Sequence, residues 1–491
     1  SYSIMEKEIM ANAQSLPMEF QWGPFQTTDK DSESHYLGLG TTGSGKTLLL
    51  RLLQQSVLPL VGQGRGYHAL VYDAKQDQLP IIAGYCDPSH IKLFNAYDAR
   101  SVAWDIAKDV TRSPVAMETA FTLFPDVSDN SPFFRNAARH CSWGIMCSFT
   151  LSKLDWSFAD LLRGLNDPDL CARILERHSQ TKGLVRKYLS DKKLTNDIFA
   201  TIASITMLYE PIAASWEHAT EWLSISDCIN NEYIVVLGNS ETSRQTIDRV
   251  NSVLFKRWTD LTLEQPDGTH QRFWTFIDEL SEAGNLAGLP SFLKKARSKG
   301  GRMVVACQSI EGLKTDKMYG EKVTADLLSC FGNRMFARLE CPETAEYCSK
   351  YIGDQEIIQT SETESGNYKD QQKSTSYSNV VQRTVLPSEF MNIESCCSEN
   401  GLTAMFKMRS SPACWDNIPG ELLFNDWLIP KNSDIPHFVP IDSMAEFLEP
   451  WTPFQETVYA PLVVSRPQER PPRDQEIDRK RDGQDIPDLD F

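Results

Sequence analysis

None of the 12 cysteines pairs with another at C-x-x-C spacing: Cys396 and Cys397 are adjacent, and Cys341 and Cys348 stand too far apart for a zinc knuckle. That spacing excludes a zinc ribbon. No compact small-domain disulfide framework is present either, so reduced, mostly buried thiols in a cytoplasmic compartment are expected. There is no signal peptide and no run of about 18 apolar residues, so no transmembrane helix is expected. The nearest approach, Thr201–Trp216, is interrupted by Glu210 and Pro211. Positive charge is also short: 49 Lys and Arg face 66 Asp and Glu, for a formal net charge of -17. So acidic a chain is no general binder of nucleic acid, and any handling of DNA must use a local basic patch, a pore or an adaptor. No internal repeat is found.

What is present begins with Gly40, Thr41, Thr42, Gly43, Ser44, Gly45, Lys46 and Thr47, which fit G-x-x-x-x-G-K-[ST] without a mismatch. The apolar Tyr36–Leu39 precedes them as a short strand, and Thr47–Gln54 follows with leucines at helical spacing. The glycines let the backbone curl so that successive N–H groups point at phosphate oxygens, and the helix start adds positive potential. Lys46 would reach the β- and γ-phosphates of ATP, and Thr47 would hold Mg²⁺.

The 491 residues, 41% of them hydrophobic, are enough for a sizeable core in two to four domain-sized pieces. Phe20-Gln-Trp-Gly-Pro-Phe25 reads as a hairpin, and Tyr67–Asp73 as a strand ending in an acid. Asp73-Ala-Lys-Gln-Asp77 then turns at the carboxyl edge of the sheet, where ligands of open α/β sheets gather. From about Asp105 to Glu221 helical periodicity takes over, in Phe133–Leu151, Phe158–Leu165, Asp169–Arg177 and Leu184–Leu208. Strand-like runs return at Glu232–Gly238, Arg272–Asp278, Met303–Cys307 and Arg334–Leu339, with a long helix at Thr242–Leu263. Near-continuous apolar runs separated by helices indicate an α/β fold with a parallel sheet covered on both faces, interrupted by an all-helical insertion. The expected division is residues 1–104 and 222–430 for the two parts of the nucleotide-binding domain, 105–221 for the insertion, and 431–491 for a C-terminal extension. Gln359–Ser378 reads as a flexible loop, and the chain from Ser465 onward as disordered.

The second half of a nucleotide site follows from Phe273–Asp278 and Glu279. The apolar run aims Asp278 at Mg²⁺ from a strand tip, and Glu279 then stands where it can deprotonate a water opposite the γ-phosphate. Gln308, at the end of the next strand, reads either as a γ-phosphate sensor or as an ordinary strand-ending amide. Arg297 reads either as a guanidinium supplied to a neighbouring subunit's site or as a solvated basic helix end.

With those residues in place, the chain resembles the TraD- and TrwB-like coupling proteins of type IV secretion. The resemblance is carried by Phe276–Gly284, Leu289-Pro290, Lys295–Gly301, Ala306–Ile310, Tyr319-Gly320, Asn333–Phe336, Glu343–Ala345, Ser349–Gly353 and Arg383–Met391. Upstream it includes Val71–Asp77 and Phe94–Trp104. It implies a RecA-like P-loop NTPase sheet with an inserted all-α domain, assembled as a hexameric ring around a channel. It also implies an ATP hydrolase that delivers relaxase-bound single-stranded DNA, or protein substrates, to secretion-channel proteins in conjugation. Lys46, Asp278, Glu279, Gln308 and Arg297 then carry catalysis, Gly40–Thr47 bind nucleotide, and Thr47 and Asp278 hold the metal. The expected location is the cytoplasmic face of the bacterial inner membrane, with the anchor outside this chain.

Two segments are open to two readings each. The basic stretch Lys182–Lys193 is either a DNA-facing surface or a solvated helix face, and the acidic end Asp485–Phe491 is either a peptide for relaxosome capture or a solubilising tail. Relaxase or relaxosome contact is assigned to the helical insertion and to that tail. The competing readings of the whole are an FtsK/HerA-like DNA translocase and a nucleotide-binding recruitment platform for protein effectors.

Overall fold

In the computed structural model of the chain, residues 19–126, 132–240, 243–365, 372–442 and 444–462 are described. The acidic end Asp485–Phe491 and the rest of the segment from Ser465 onward lie outside them. The strands run from β1 (Glu19–Trp22), β2 (Phe25–Thr28), β3 (Tyr36–Leu39), β4 (Tyr67–Tyr72) and β5 (Ile91–Phe94) to β6 (Ala103–Trp104) and β7 (Trp222–Leu223). Then come β8 (Ile234–Leu237), β9 (Arg272–Ile277), β10 (Gly301–Cys307), β11 (Asn333–Phe336), β12 (Asp354–Ser365), β13 (Gln372–Arg383), β14 (Leu402–Lys407) and β15 (Ala413–Ile418).

Nine of these form one sheet, in the order β15-β14-β11-β3-β10-β9-β4-β8-β5. From β11 to β5 every pairing is parallel; β14 and β15 add antiparallel at the edge. The apolar runs are continuous because both faces are covered. On β9, Trp274 and Phe276 join the cluster that holds β1, β2 and helix α1 (Lys46–Val57), whereas Phe273 and Ile277 face the opposite cluster. The order places β10 between the glycine-loop strand β3 and the acid strand β9. The ends of all three strands therefore meet on one edge of the sheet.

Between β6 and β7 come α2 (Ser113–Leu123), α3 (Pro132–Leu151), α4 (Phe158–Asn166), α5 (Pro168–Glu176), α6 (Gly183–Tyr188) and α7 (Lys192–Trp216). The single helix expected over Leu184–Leu208 is therefore two. Asp191 divides them by accepting the Leu194 N–H at 2.8 Å, an N-cap for α7. Pro211 lies inside α7 near its end and does not stop it. By length and composition α7 could cross a membrane, but half of its most apolar window is buried, with Ile198, Ile202, Ile205 and Ile212 in the core.

The two ends of the helical stretch meet, since β6 and β7 pair in parallel through Ala103↔Trp222 and Trp104↔Leu223. Buried Asp109 ties this junction. It accepts the Trp104 indole N–H at 2.8 Å, the Ile225 and Ser226 N–H groups at 2.8 and 3.1 Å, and the Ser226 hydroxyl at 2.7 Å. The long helix expected over Thr242–Leu263 is α8 (Arg244–Leu263), and its Arg257 reaches the same carboxylate at 3.4 Å.

The segment Gln359–Ser378, expected as a loop, is instead mostly strand: β12 and β13 pair antiparallel from Asp354↔Arg383 to Ser365↔Gln372. Its polar composition conceals a strand because neither face is buried, so no alternation marks it. The β-branched and aromatic residues Ile357, Ile358, Thr360, Tyr377, Val380 and Val381 still favour the pleat. Further on, the chain after β15 runs back across both halves. Arg51 donates to the Ile429 carbonyl at 2.9 Å, Ala99 N–H to Val439 O at 2.8 Å, and the Trp451 indole to Asp160 at 2.7 Å. It includes α9 (Pro453–Tyr459), tied to α5 by Arg173 and Glu456.

Candidate nucleotide site

The glycine loop bridges β3 and α1. Gly43 and Gly45 have φ of +75° and +92°, left-handed values that favour glycine. A Cβ on Gly45 would also lie 2.4 Å from Leu402. The loop is pinned to its neighbours: Gly40 N–H donates to Cys307 O at 3.2 Å, Thr41 N–H to Arg338 O at 2.8 Å, and Cys396 N–H to Gly43 O at 3.0 Å. Among the described residues no side chain caps α1, which leaves its first N–H groups to meet an anion. The Ser44 hydroxyl in the same loop is buried without a hydrogen-bond partner among the described residues.

The strand order brings the acid pair to this loop. Thr47 Oγ1 lies 3.0 and 3.1 Å from the two oxygens of Asp278, and Lys46 Nζ 3.7 Å from Glu279 Oε2. All but Thr47 are buried. Burial pushes the Lys46 ammonium below its usual range, and the Glu279 charge opposes that. Glu279 is fully buried, with its hydrogen bonds on one oxygen and the Lys46 ammonium on the other. Its Oε1 accepts the Ser281 hydroxyl at 2.6 Å and the Gln308 N–H at 3.3 Å, while Oε2 has no hydrogen-bond partner among the described residues. The hydroxyl and carboxylate oxygens of Thr47 and Asp278 form a hard-oxygen set, which suits Mg²⁺.

Gln308 comes to the site through its backbone, and its side chain is exposed. Arg297 is not brought to it. It lies just before β10 and pairs with Glu33 at 3.2 Å. That is the opposite end of the strand from Cys307, about 20 Å away at the usual rise per residue. Two neighbours of the acid pair escaped the sequence reading. Lys75 Nζ stands 3.2 Å from Asp278 Oδ2, and Ser281 orients Glu279. The one signal for Lys75 was its turn at the carboxyl edge of β4, where Asp73 is buried and its carboxyl is pushed up to about 7, by burial and the Asp77 charge.

Residues 24–411 match the type IV secretion-system coupling protein DNA-binding domain. The chain belongs to that family. This coupling-protein chain is 26% identical over 343 residues to Coupling protein TraD of Escherichia coli (strain K12), a match covering 68% of the chain. It spans 46% of that relative's length. Among solved structures it is similar to the bacterial conjugative coupling protein TrwB in unbound form, with a TM-score of 0.65 at 19% identity, covering 86% of this chain and 91% of that one. TrwB in complex with ADP and Mg²⁺ gives a TM-score of 0.63 at 19% identity, over 87% and 93%. At that identity the likeness is one of fold: a RecA-like P-loop NTPase sheet with an all-α segment.

Proposed function

We propose that the chain is the motor portion of a conjugative coupling protein, an ATP hydrolase that delivers relaxase-bound DNA or protein substrates to a type IV secretion channel. The reading is carried by one observation, the meeting of Lys46 and Thr47 with Asp278 and Glu279 on a single sheet edge. Gly40, Thr41, Thr42, Gly43, Ser44 and Gly45 wrap the phosphates with backbone N–H groups, and Lys46 pairs with the β- and γ-phosphates. Thr47 and Asp278 would hold Mg²⁺, which when bound neutralises charge on the phosphate oxygens. Glu279 takes the proton of the attacking water on Oε2, the oxygen that faces the Lys46 ammonium at 3.7 Å while Ser281 and Gln308 hydrogen-bond the other oxygen. Because Gln308 holds Glu279 through the end of β10, loss of the γ-phosphate is passed into that strand.

Arg297, far from its own chain's loop, serves the site of the next subunit in a homo-oligomeric ring, a hexamer in our reading. DNA, as a single strand, passes through the channel. The exposed Lys182, Arg186, Lys187, Lys192 and Lys193 of the 105–221 helical segment offer a phosphate-facing surface, which suits relaxosome or DNA contact. The setting is the cytoplasmic face of the bacterial inner membrane. Phosphate release, measured with and without single-stranded DNA across protein concentration, tests the reading. DNA-stimulated turnover that rises more steeply than protein concentration is expected. Turnover indifferent to DNA, with tight binding of a secreted protein, would replace it with the recruitment platform.

A further inference from the structure

A second lysine faces the acid pair from a different strand. Lys75 Nζ lies 3.2 Å from Asp278 Oδ2, on the carboxylate that Thr47 also contacts. A swinging surface lysine would form only a weak, interchangeable pair. Lys75 is exposed, its side chain 43% accessible, but the backbone turn that carries it is braced at every step. Asp73 Oδ1 accepts the Asp77 N–H at 3.0 Å, and Oδ2 the Gln78 N–H at 3.2 Å. Gln76 adopts a left-handed φ of +57° and its side-chain amide donates to the Asn239 carbonyl. Asn239 Nδ2 in turn donates to Ala74 O at 3.1 Å, and Asn95 Nδ2 to Asn239 O at 3.0 Å. The tips of β4, β5 and β8 thus fix the Lys75 backbone at the site.

We propose that Lys75 is a second phosphate-binding lysine, which contacts the terminal phosphate of a nucleoside triphosphate and so separates tri- from diphosphate. The inference rests on the nucleotide-site reading above. Lys46 and Lys75 balance Asp278 and Glu279, so these four side chains carry no net formal charge. A magnesium-bound triphosphate adds two negative charges and a diphosphate one. The γ-phosphate lies on the acid-pair side of the β-phosphate, where it meets the ammonium already beside Asp278. The added charge of the triphosphate holds Lys75 there, and a compact ammonium suits a single phosphate oxygen.

The test is equilibrium binding of Mg-ADP and of a non-hydrolysable ATP analogue with Mg²⁺ to the full chain and to Lys75→Met, Lys75→Arg and Lys46→Ala. Lys75→Met is expected to weaken the analogue about tenfold, the scale of one charge-assisted contact, and ADP by less than about twofold. Lys75→Arg should keep most of the preference. If Lys75→Met moves both nucleotides equally, or neither, the inference is overturned. Should Lys46→Ala leave both affinities intact, the nucleotide-site reading itself fails, a separate result from that of the Lys75 comparison.

Discussion

Thr47 Oγ1 and the carboxylate of Asp278 lie 3.0 Å apart although 231 residues separate them in the chain. The contact exists because β10 alone stands between β3 and β9, which brings both strand ends to one edge. Nearly everything proposed for this protein is built around it.

The division of labour in the site predicts different losses for its members. Lys46→Ala removes the cation proposed to pair with phosphate, so nucleotide binding and turnover should both fall. Glu279→Gln keeps the hydrogen-bonded shape but cannot take a proton. It should bind nucleotide and lose turnover by about 10²-fold or more. Parallel binding and phosphate-release assays decide it, and wild-type turnover in Glu279→Gln would remove its role as base.

Gly45→Ala tests the loop as a structure. The new Cβ meets Leu402 at 2.4 Å, and φ of +92° is strained for any L side chain. A loss of about 1–3 kcal/mol is expected, read as a lower thermal midpoint together with weaker nucleotide binding. An unchanged midpoint would mean that the loop has room to shift.

His35 predicts an acid sensitivity remote from the site. Its Nδ1 accepts the Met303 N–H at 3.1 Å, so its Nε2–H donates to Leu293 O at 3.2 Å. Burial pushes the ring down to about 4; the Leu293 contact opposes this, and the Arg302 and Arg297 charges add to it. The unfolded ring titrates near about 6.5, so between these values the unfolded chain binds more protons. The stability from neutral His35 is complete above about pH 6.5 and is lost as pH falls towards 4, on the order of 3 kcal/mol in all. His35→Asn, which tolerates the left-handed φ of +53°, should be less stable at neutral pH and show a flatter decline. Denaturant midpoints at several pH values measure both slopes, and parallel slopes would exclude His35 as the source.

Asp109→Ala should loosen the base of the helical segment. It strands the Trp104 indole, two backbone N–H groups and the Ser226 hydroxyl in a buried place, and leaves the Arg257 cation only its 4.0 Å contact with Glu264. A cost of about 3 kcal/mol or more is expected, seen as a lower melting temperature and faster proteolysis within 105–221. A wild-type melting curve would show that water replaces the carboxylate.

The β12–β13 hairpin should be dispensable for folding. Ile358, Tyr377 and Val381 are about 70% exposed at 69%, 72% and 69%, so little core depends on them. Its base is closed separately by Thr384 N–H to Gly353 O at 3.0 Å and by Arg383 with Asp354 and Glu346. Replacing residues 356–381 with a short Gly-Ser linker should leave the thermal midpoint unchanged; a collapse of the midpoint would assign the hairpin a structural role.

The glycine loop, the acid pair and the change to helical periodicity near Asp105 are legible in the sequence, because each is a local pattern. A buried parallel strand must be apolar throughout, a phosphate loop needs its glycines, and an amphipathic helix shows its face every three or four residues. The hairpin was missed for the converse reason, that a strand exposed on both sides has no alternation to read. The break before α7 turned on the single cap at Asp191.

By itself the sequence determined which segments are strand, loop and helix around the glycine loop and the acid pair. Only the tertiary structure decided that Lys75 stands against Asp278, that Arg297 lies at the far end of β10 from its own loop, and that residues 428–460 cross both halves. These are relations between segments distant in the chain. They depend on the order in which strands pair, and spacing within a segment carries no record of that order.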